Sequence, residues 1–144
     1  MYITRVTNQT DLHYAVAAAN MAAGNAARRK NTQQDILQGM QDGALYYLLH
    51  VSGQAVGSFA VILYIDGTAD VFNFAIFPGF RNKGYGKQGM QYILDKLREW
   101  GINETFLKVH SDNKCAIHVY ISCGYLKVGE DDLYVYMRHV QIKG

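Results

Sequence analysis

The 144-residue chain has one proline, Pro78, and two cysteines, Cys115 and Cys123. With so little proline, the elements must end on glycine or polar residues, and 14 glycines are available for that. The cysteines lie eight positions apart. On the helix read below, that is about 12 Å of axial rise, too far for a disulfide. No cysteine–histidine pattern has zinc spacing, so no metal site is expected. Sparse, unpaired cysteine points to a reducing, cytoplasmic setting. No apolar run approaches the ~18 residues of a membrane span, and no membrane partner is expected. Charge of one sign is also scarce. Fourteen Lys and Arg against twelve Asp and Glu give a net +2, too mild to argue for nucleic acid.

What is present is 49% hydrophobic and 18% charged, a folding composition. No repeat, linker or low-complexity tract interrupts it. Residues 1–144 therefore read as one domain, large enough for a core without staples. The alanine-rich "LHYAVAAANMAAGNAA" resembles a secretion signal only superficially. His13, Tyr14 and Asn20 interrupt it, and Arg28, Arg29 and Lys30 follow it instead of preceding it. It reads as an amphipathic or core helix.

Along the chain, "MYITRVT" is a short edge strand and residues 9–24 a helix stopped by Gly24. The polar "ARRKNTQQD" is a loop before a short helix near 32–41. A hairpin turning at Ser52-Gly53 follows, and a second turn falls at Asp66-Gly67. Residues 70–77 are a strand. Residues 84–100 are a helix, with Met90, Ile93, Leu94 and Leu97 as its apolar stripe and Gly101 as its stop. "TFLKVH" is a strand and 113–122 a short helix with Asn113 at its start. A hairpin around Glu130-Asp131-Asp132 closes the chain. The order β-α-α-β-β-β-α-β-α-β-β implies an α/β protein with a mixed sheet and helices on its faces.

The informative stretch is "VFNFAIFPGFRNKGYGKQGMQYILDKLREW", a strand breaking into glycines and cations before a helix. A Walker loop requires G-x-x-x-x-G-K-[ST]. Counted from Gly79, Tyr85 stands where its lysine must be. Counted back from Gly86-Lys87, Arg81 replaces the first glycine and Gln88 the magnesium-binding hydroxyl. Gly84, Gly86 and Gly89 do satisfy the dinucleotide G-x-G-x-x-G, with Glu104 downstream. That fingerprint needs the strand to run almost directly into the first glycine, and here "PGFRNK" intervenes. The pattern that fits is R-x-x-G-x-G, from Arg81, Asn82, Lys83, Gly84, Tyr85 and Gly86, opening a helix. Backbone N–H groups at such a helix start converge on one point and attract anions. Arg81, Lys83 and Lys87 add three cations with no acid between them. The loop suits a pyrophosphate.

This arrangement resembles the GNAT superfamily of acyl-CoA-dependent N-acyltransferases, in which [QR]-x-x-G-x-[GA] between a strand and a helix cradles coenzyme A. About 30 residues on, Asn113, Ala116, Tyr120, Gly124 and Tyr125 match the family's second motif. The resemblance is specific over 70–125 and loose before that. It implies a GNAT-like fold: a central, mostly antiparallel sheet with helices on both faces. It also implies an N-acetyltransferase taking acetyl-CoA and an amine acceptor (small molecule, peptide or protein). Arg81, Asn82, Lys83, Gly84, Tyr85, Gly86 and Lys87 would hold the pyrophosphate. The backbone of Ile76 and Phe77, and Asn113, would hold the pantetheine arm. Tyr120 would protonate the leaving thiolate, since a phenol near pKa 10 suits a thiol near 8.5.

Several roles stay open. Asp70 stands where some members carry a glutamate base, six residues before Ile76; strand alternation would place it on the side of Phe72, Phe74 and Ile76. As a base it would act through a water, aspartate being one methylene shorter, and the reading as a solvated turn acid after "DGTA" stands ahead of that one. Asn113 reads equally as a plain helix cap. His118 reads as structural or exposed, and His110 as a candidate for lining the acceptor site. Glu130, Asp131 and Asp132 are a solvated hairpin tip or an attractor for a cationic amine. "ARRK" at 27–30 touches the cofactor's 3′-phosphate or only water. Residues 133–140 could pair with a second copy as an edge strand, giving a homodimer. A non-catalytic acyl-CoA-binding or protein-interaction module of the same fold is the alternative to the enzyme, and an NAD-dependent oxidoreductase is the third option.

Overall fold

The computed structural model describes residues 1–24 and 29–141. Its elements, in chain order, are β1 (Tyr2–Arg5), α1 (Gln9–Ala23), α2 (Gln33–Gln41), β2 (Leu45–Val51), β3 (Gln54–Leu63), β4 (Thr68–Ile76), α3 (Tyr85–Glu99), β5 (Glu104–His110), α4 (Lys114–Ser122), β6 (Leu126–Glu130) and β7 (Tyr134–Val140). Order and types follow the sequence reading, with ends displaced by one or two residues, as fraying termini allow. Part of the "ARRK" stretch, residues 27 and 28, lies outside the described residues. Among the described residues, no helix is long and apolar enough to cross a membrane.

The strands form one sheet in the order β1-β2-β3-β4-β5-β7-β6. Only the β4–β5 pair is parallel, and the other neighbours are antiparallel. This is the mixed, mostly antiparallel sheet expected, and its antiparallel majority excludes the dinucleotide-binding fold. Glu104, which that reading needed for a ribose, is ion-paired with Arg138. The edge-strand expectation for 133–140 is corrected. β7 lies between β5 and β6 and pairs with β6 from Val135 to Arg138, so the outer strand on that side of the sheet is β6.

The helices cover the two faces because their apolar stripes differ. On one face Met90, Ile93, Leu94 and Leu97 of α3 pack with Tyr120 of α4 over Leu49, Phe59, Val61 and Val71. On the other, Leu12, Ala15 and Ala19 of α1 and Ile36 of α2 cover Tyr46, Leu48 and Ala60. The alanines of α1 let it lie close to the sheet, with Ala18 packed on Ala75 and Phe77 near the end of β4.

Two irregularities in β4 shape the site. First, Phe72 pairs with Ala60 and Ala75 with Ser58, so Asn73 and Phe74 together oppose Phe59. This is a bulge, and Asn73 takes a left-handed φ of 53° within it. The extra residue reverses the side-chain alternation. Phe72 faces the α1–α2 core, whereas Phe74 and Ile76 face the α3–α4 core. Asp70 alternates with Ala69 and Val71 of the α3–α4 core, so it shares the face of Phe72. The expectation that Asp70 sits on the side of Phe74 and Ile76 is therefore overturned, because the bulge lies between them. Second, β4–β5 pairing stops at Asp70↔Phe106, although β4 continues to Ile76 and β5 to His110. The sheet splits there into a wedge.

Candidate active site

The wedge leads into a cleft of about 590 Å³. One wall is Phe74, Ala75 and Ile76 at the end of β4, and the other is Asn113, Ala116, Val119 and Tyr120 of α4 and its cap. Arg81, Asn82 and Gly84 to Lys87 close one end, and Met21 and Ala22 of α1 close another side. A smaller pocket of about 40 Å³ lies in the wedge itself, between residues 71–74 of β4 and 107–109 of β5. It shares Ala22, Phe74, Asn113 and Tyr120 with the cleft.

The loop from Pro78 to Gly84 turns through three left-handed residues, Gly79, Asn82 and Gly84, with φ of 34°, 61° and 79°. Its consequence is electrostatic. The starts of α1, α2 and α4 are capped by the side chains of Asn8, Thr32 and Asn113, which accept first-turn N–H groups. α3 begins at Gly84 with no side-chain cap and no acid in its first turn. Its first-turn N–H groups are left to the cleft, where the helix dipole places partial positive charge. Arg81 and Lys87 line the same end, and Lys83 points to solvent without lining the cleft. Arg81 also donates from Nε to the Ile76 carbonyl, at 2.9 Å. It thereby ties the loop to the end of β4 and keeps its terminal nitrogens for another partner.

At the end of β4 the two expected backbone residues diverge. The Phe77 N–H is bonded to the Val56 carbonyl at 2.8 Å, and its ring is buried against α1. Phe77 thus does not line the cleft, and its N–H has no capacity for a ligand. Successive N–H groups alternate along a strand, so the Ile76 N–H points the other way, into the wedge that β5 has left.

Tyr120 is 7% exposed, with its ring between Phe74 and Tyr125 at centroid distances of 6.3 and 5.8 Å. Burial, with Cys123 nearby as a lesser cause, raises its phenol well above the ordinary value. It stays protonated at neutral pH and is a donor there. Asn113 both caps α4, accepting the Ala116 N–H at 3.1 Å, and lines the cleft. Asp70 does not line either space; its carboxylate accepts the Tyr64 hydroxyl at 2.7 Å. His110 does not line them either. Its Nδ1 accepts the Asp112 N–H, and its ring stands edge-on to Tyr134. The acids of the β6–β7 turn split in role. Asp131 accepts from the Leu133 and Tyr134 N–H groups and the Tyr136 hydroxyl, so it holds the turn.

Sequence reasoning missed the lining from Met21, Ala22, Phe74 and Cys115, and it missed the bulge. The one signal for the bulge was asparagine, poorly suited to a strand interior, in "VFNFAI". Both cysteines are free; Cys115 is exposed and Cys123 buried. Among the described residues no cluster of three or more metal-binding side chains occurs.

The wedge, the uncapped helix and the buried tyrosine define a site for a large anionic ligand beside a proton donor. Residues 13–125 match the Acetyltransferase (GNAT) family, and the chain belongs to it. The [ribosomal protein bS18]-alanine N-acetyltransferase of Salmonella typhimurium is 30% identical over 70 residues, which cover 49% of this chain. The match spans 47% of that relative, about half its length. Among solved structures, the ribosomal-protein-S18-alanine N-acetyltransferase of Escherichia coli superposes with a TM-score of 0.77 at 20% identity, over 99% of this chain and 96% of that one. The spermidine N-acetyltransferase of Vibrio cholerae, in complex with CoA and spermine, gives 0.76 at 17% identity over 96% and 95%.

Proposed function

We propose that the protein is an N-acetyltransferase moving an acetyl group from acetyl-CoA to a primary amine within a ternary complex. The observation that carries this reading is the uncapped start of α3, flanked by Arg81 and Lys87, opening on the same cleft as Tyr120. The cleft's size and cationic end fit a pyrophosphate with an apolar arm. Arg81, Asn82, Tyr85, Lys87 and the Gly84 and Gly86 backbone would hold the phosphates; Lys83 would contribute only at longer range.

The neutral amine attacks the thioester carbonyl carbon, and the C–S bond then breaks. The Ile76 N–H, on the side of β4 that β5 leaves open, would polarise that carbonyl. Tyr120 gives its proton to the departing thiolate and regains one from solvent, while the new amide nitrogen loses its proton to solvent. Holding both substrates in the wedge supplies the proximity term. No covalent enzyme intermediate is invoked. Asp70 enters only at a distance, through water, because the bulge turns it from Ile76 and Tyr64 occupies it. Asn113 has its oxygen committed to the helix cap, so only its amide nitrogen is offered to the pantetheine arm.

Calorimetric titration of acetyl-CoA tests the reading, with Arg81→Glu and an NAD control beside the unaltered protein. The expected result is micromolar binding of acetyl-CoA, at least tenfold weaker in the variant, and none of NAD. No binding of acetyl-CoA by the unaltered protein would sink the reading. Binding without turnover across an amine panel would favour the non-catalytic module.

A further inference from the structure

The wedge pocket is the end of the cavity away from the anion loop. None of the residues 78–87 lines it, whereas Phe74, Asn113 and Tyr120 line both it and the cleft. A ligand anchored at Arg81 and Lys87 and reaching Tyr120 has its reactive end at this junction, with the wedge pocket beyond it. At about 40 Å³ the pocket has room for a few heavy atoms. Its strand walls are largely apolar, with Val71 and Phe72 on β4 and Leu107 and Val109 on β5.

The polar side chain on the β4 wall is Asn73. The bulge takes it out of the ladder at a φ of 53°, just past the Asp70↔Phe106 pair where β5 leaves. Asparagine tolerates a left-handed backbone better than most residues with a Cβ, which accounts for its presence in a bulge. That does not account for its amide. Asparagines in turns commonly spend their side chains on backbone groups nearby. The side-chain hydrogen bonds around β4 run from Ser58 to the Tyr47 carbonyl, from Tyr64 to Asp70 and from Arg81 to the Ile76 carbonyl. Among the described residues Asn73 makes none, and it stands half-buried at the pocket.

Three side chains lining the pocket carry an oxygen: Asn73, Asn113 and Tyr120. That of Asn113 accepts the Ala116 N–H, and the Tyr120 hydroxyl is the proton donor of the proposed reaction. The Asn73 carbonyl is uncommitted. Resting on the acetyltransferase reading, we propose that Asn73 positions the acceptor: its side-chain carbonyl accepts one N–H of the neutral amine and so turns the lone pair toward the thioester carbon. A primary amine attacking through its lone pair still carries two N–H groups, and leaving both unpaired in a half-buried pocket is costly. Fixing one of them restricts rotation of the nitrogen before attack. An amide oxygen is too weak a base to take the proton, which still leaves to solvent. Asn73 therefore orients the amine and does not deprotonate it.

Asn73→Gly keeps the left-handed backbone and removes the amide. Asn73→Asp keeps the backbone and an acceptor oxygen and removes the N–H₂ donor. Thiol release from CoA is followed for the unaltered protein and both variants with spermidine, a lysine-free peptide beginning with alanine, and an N-terminally acetylated peptide with one lysine. Acetyl-CoA is titrated into each protein by calorimetry. For the fastest acceptor, Asn73→Gly is expected to lower kcat/KM about tenfold or more, with acetyl-CoA affinity within about twofold. Asn73→Asp is expected to stay within about threefold of the unaltered protein. An unchanged kcat/KM in Asn73→Gly overturns the proposal. So does an Asn73→Asp that falls as far as Asn73→Gly, which would give the task to the N–H₂ group. So does a loss of acetyl-CoA affinity as large as the loss in kcat/KM, which would place Asn73 on the donor. Should Asn73→Gly fail to fold, Asn73→Asp decides: retained rates support the proposal and a fall of about tenfold overturns it. Failure of the unaltered protein to bind acetyl-CoA, or to acetylate any of the three amines, is a different result, because it overturns the acetyltransferase reading beneath the proposal.

Discussion

A tyrosine is usually a packing residue, and Tyr120 is also one: it is enclosed by Phe74, Tyr125 and Cys123. What separates it from the chain's other tyrosines is that the same burial keeps its phenol protonated while its ring borders both the cleft and the wedge pocket. Tyr120→Phe keeps the ring and removes the proton. We expect kcat to fall by about 10²-fold or more with acetyl-CoA affinity little changed, measured by initial rates and calorimetry. A fall in affinity as large as the fall in kcat would assign the hydroxyl to binding instead. Arg81 is the other residue with two tasks. Its Nε donates to the Ile76 carbonyl and the residue also lines the cleft, so one side chain joins the loop to the strand end. Lysine has no such fork and could not do both.

At the scale of elements, the end of β4 is where regular secondary structure gives way to a site. The bulge at Asn73 turns Phe74 and Ile76 toward α4, and the loss of β5 frees the Ile76 N–H. β3 must follow this bend closely, and Gly57 permits it. A Cβ there would stand 2.5 Å from the Ala75 carbonyl oxygen, a backbone atom that cannot swing aside. Gly57→Ala is expected to destabilise the fold by about 1–3 kcal/mol through forced strand displacement. Urea unfolding measures this, and a change under about 0.5 kcal/mol would show that the strands yield freely. The helix starts obey the same local logic. Asn8, Thr32 and Asn113 cap their helices with side chains, whereas α3 starts on a glycine and leaves its first-turn N–H groups without a side-chain partner.

At the scale of the whole molecule, the two cores meet in one sheet, and the C-terminal strand reaches under α4. His139 of β7 packs against Tyr125 at 5.3 Å, with its Nδ1 buried and unpartnered. Burial lowers its pKa below the ordinary 6.5, and a hydrogen bond with the Cys123 backbone only partly opposes this. The unfolded chain then binds a proton that the folded one refuses. This stabilising contribution is complete above about 6.5 and is lost as pH falls toward the lower folded value. Melting temperature should therefore drop between pH 7.5 and 5, and His139→Gln should flatten that drop. Thermal unfolding of both proteins across this range is the check, and identical slopes would place the effect elsewhere.

The order and type of the elements, the glycine turn that opens α3, and the places of Asn113 and Tyr120 at the start of α4 and within it were legible in the sequence. Each rests on neighbours within a few residues along the chain: helical spacing, caps, glycine turns and a short motif before a helix. Local sterics and hydrogen bonding decide such features. Asp70 and Phe77 were not placed correctly, because their surroundings depend on strands distant in sequence. One extra residue opposite Phe59 turned Asp70 from Ile76, and Val56 claimed the Phe77 N–H. Register and the point where two strands separate are set by packing across the whole sheet, and no local pattern encodes them. The sequence by itself determined what the loop could hold, and only the tertiary structure decided which side chains stand around the opening beside it.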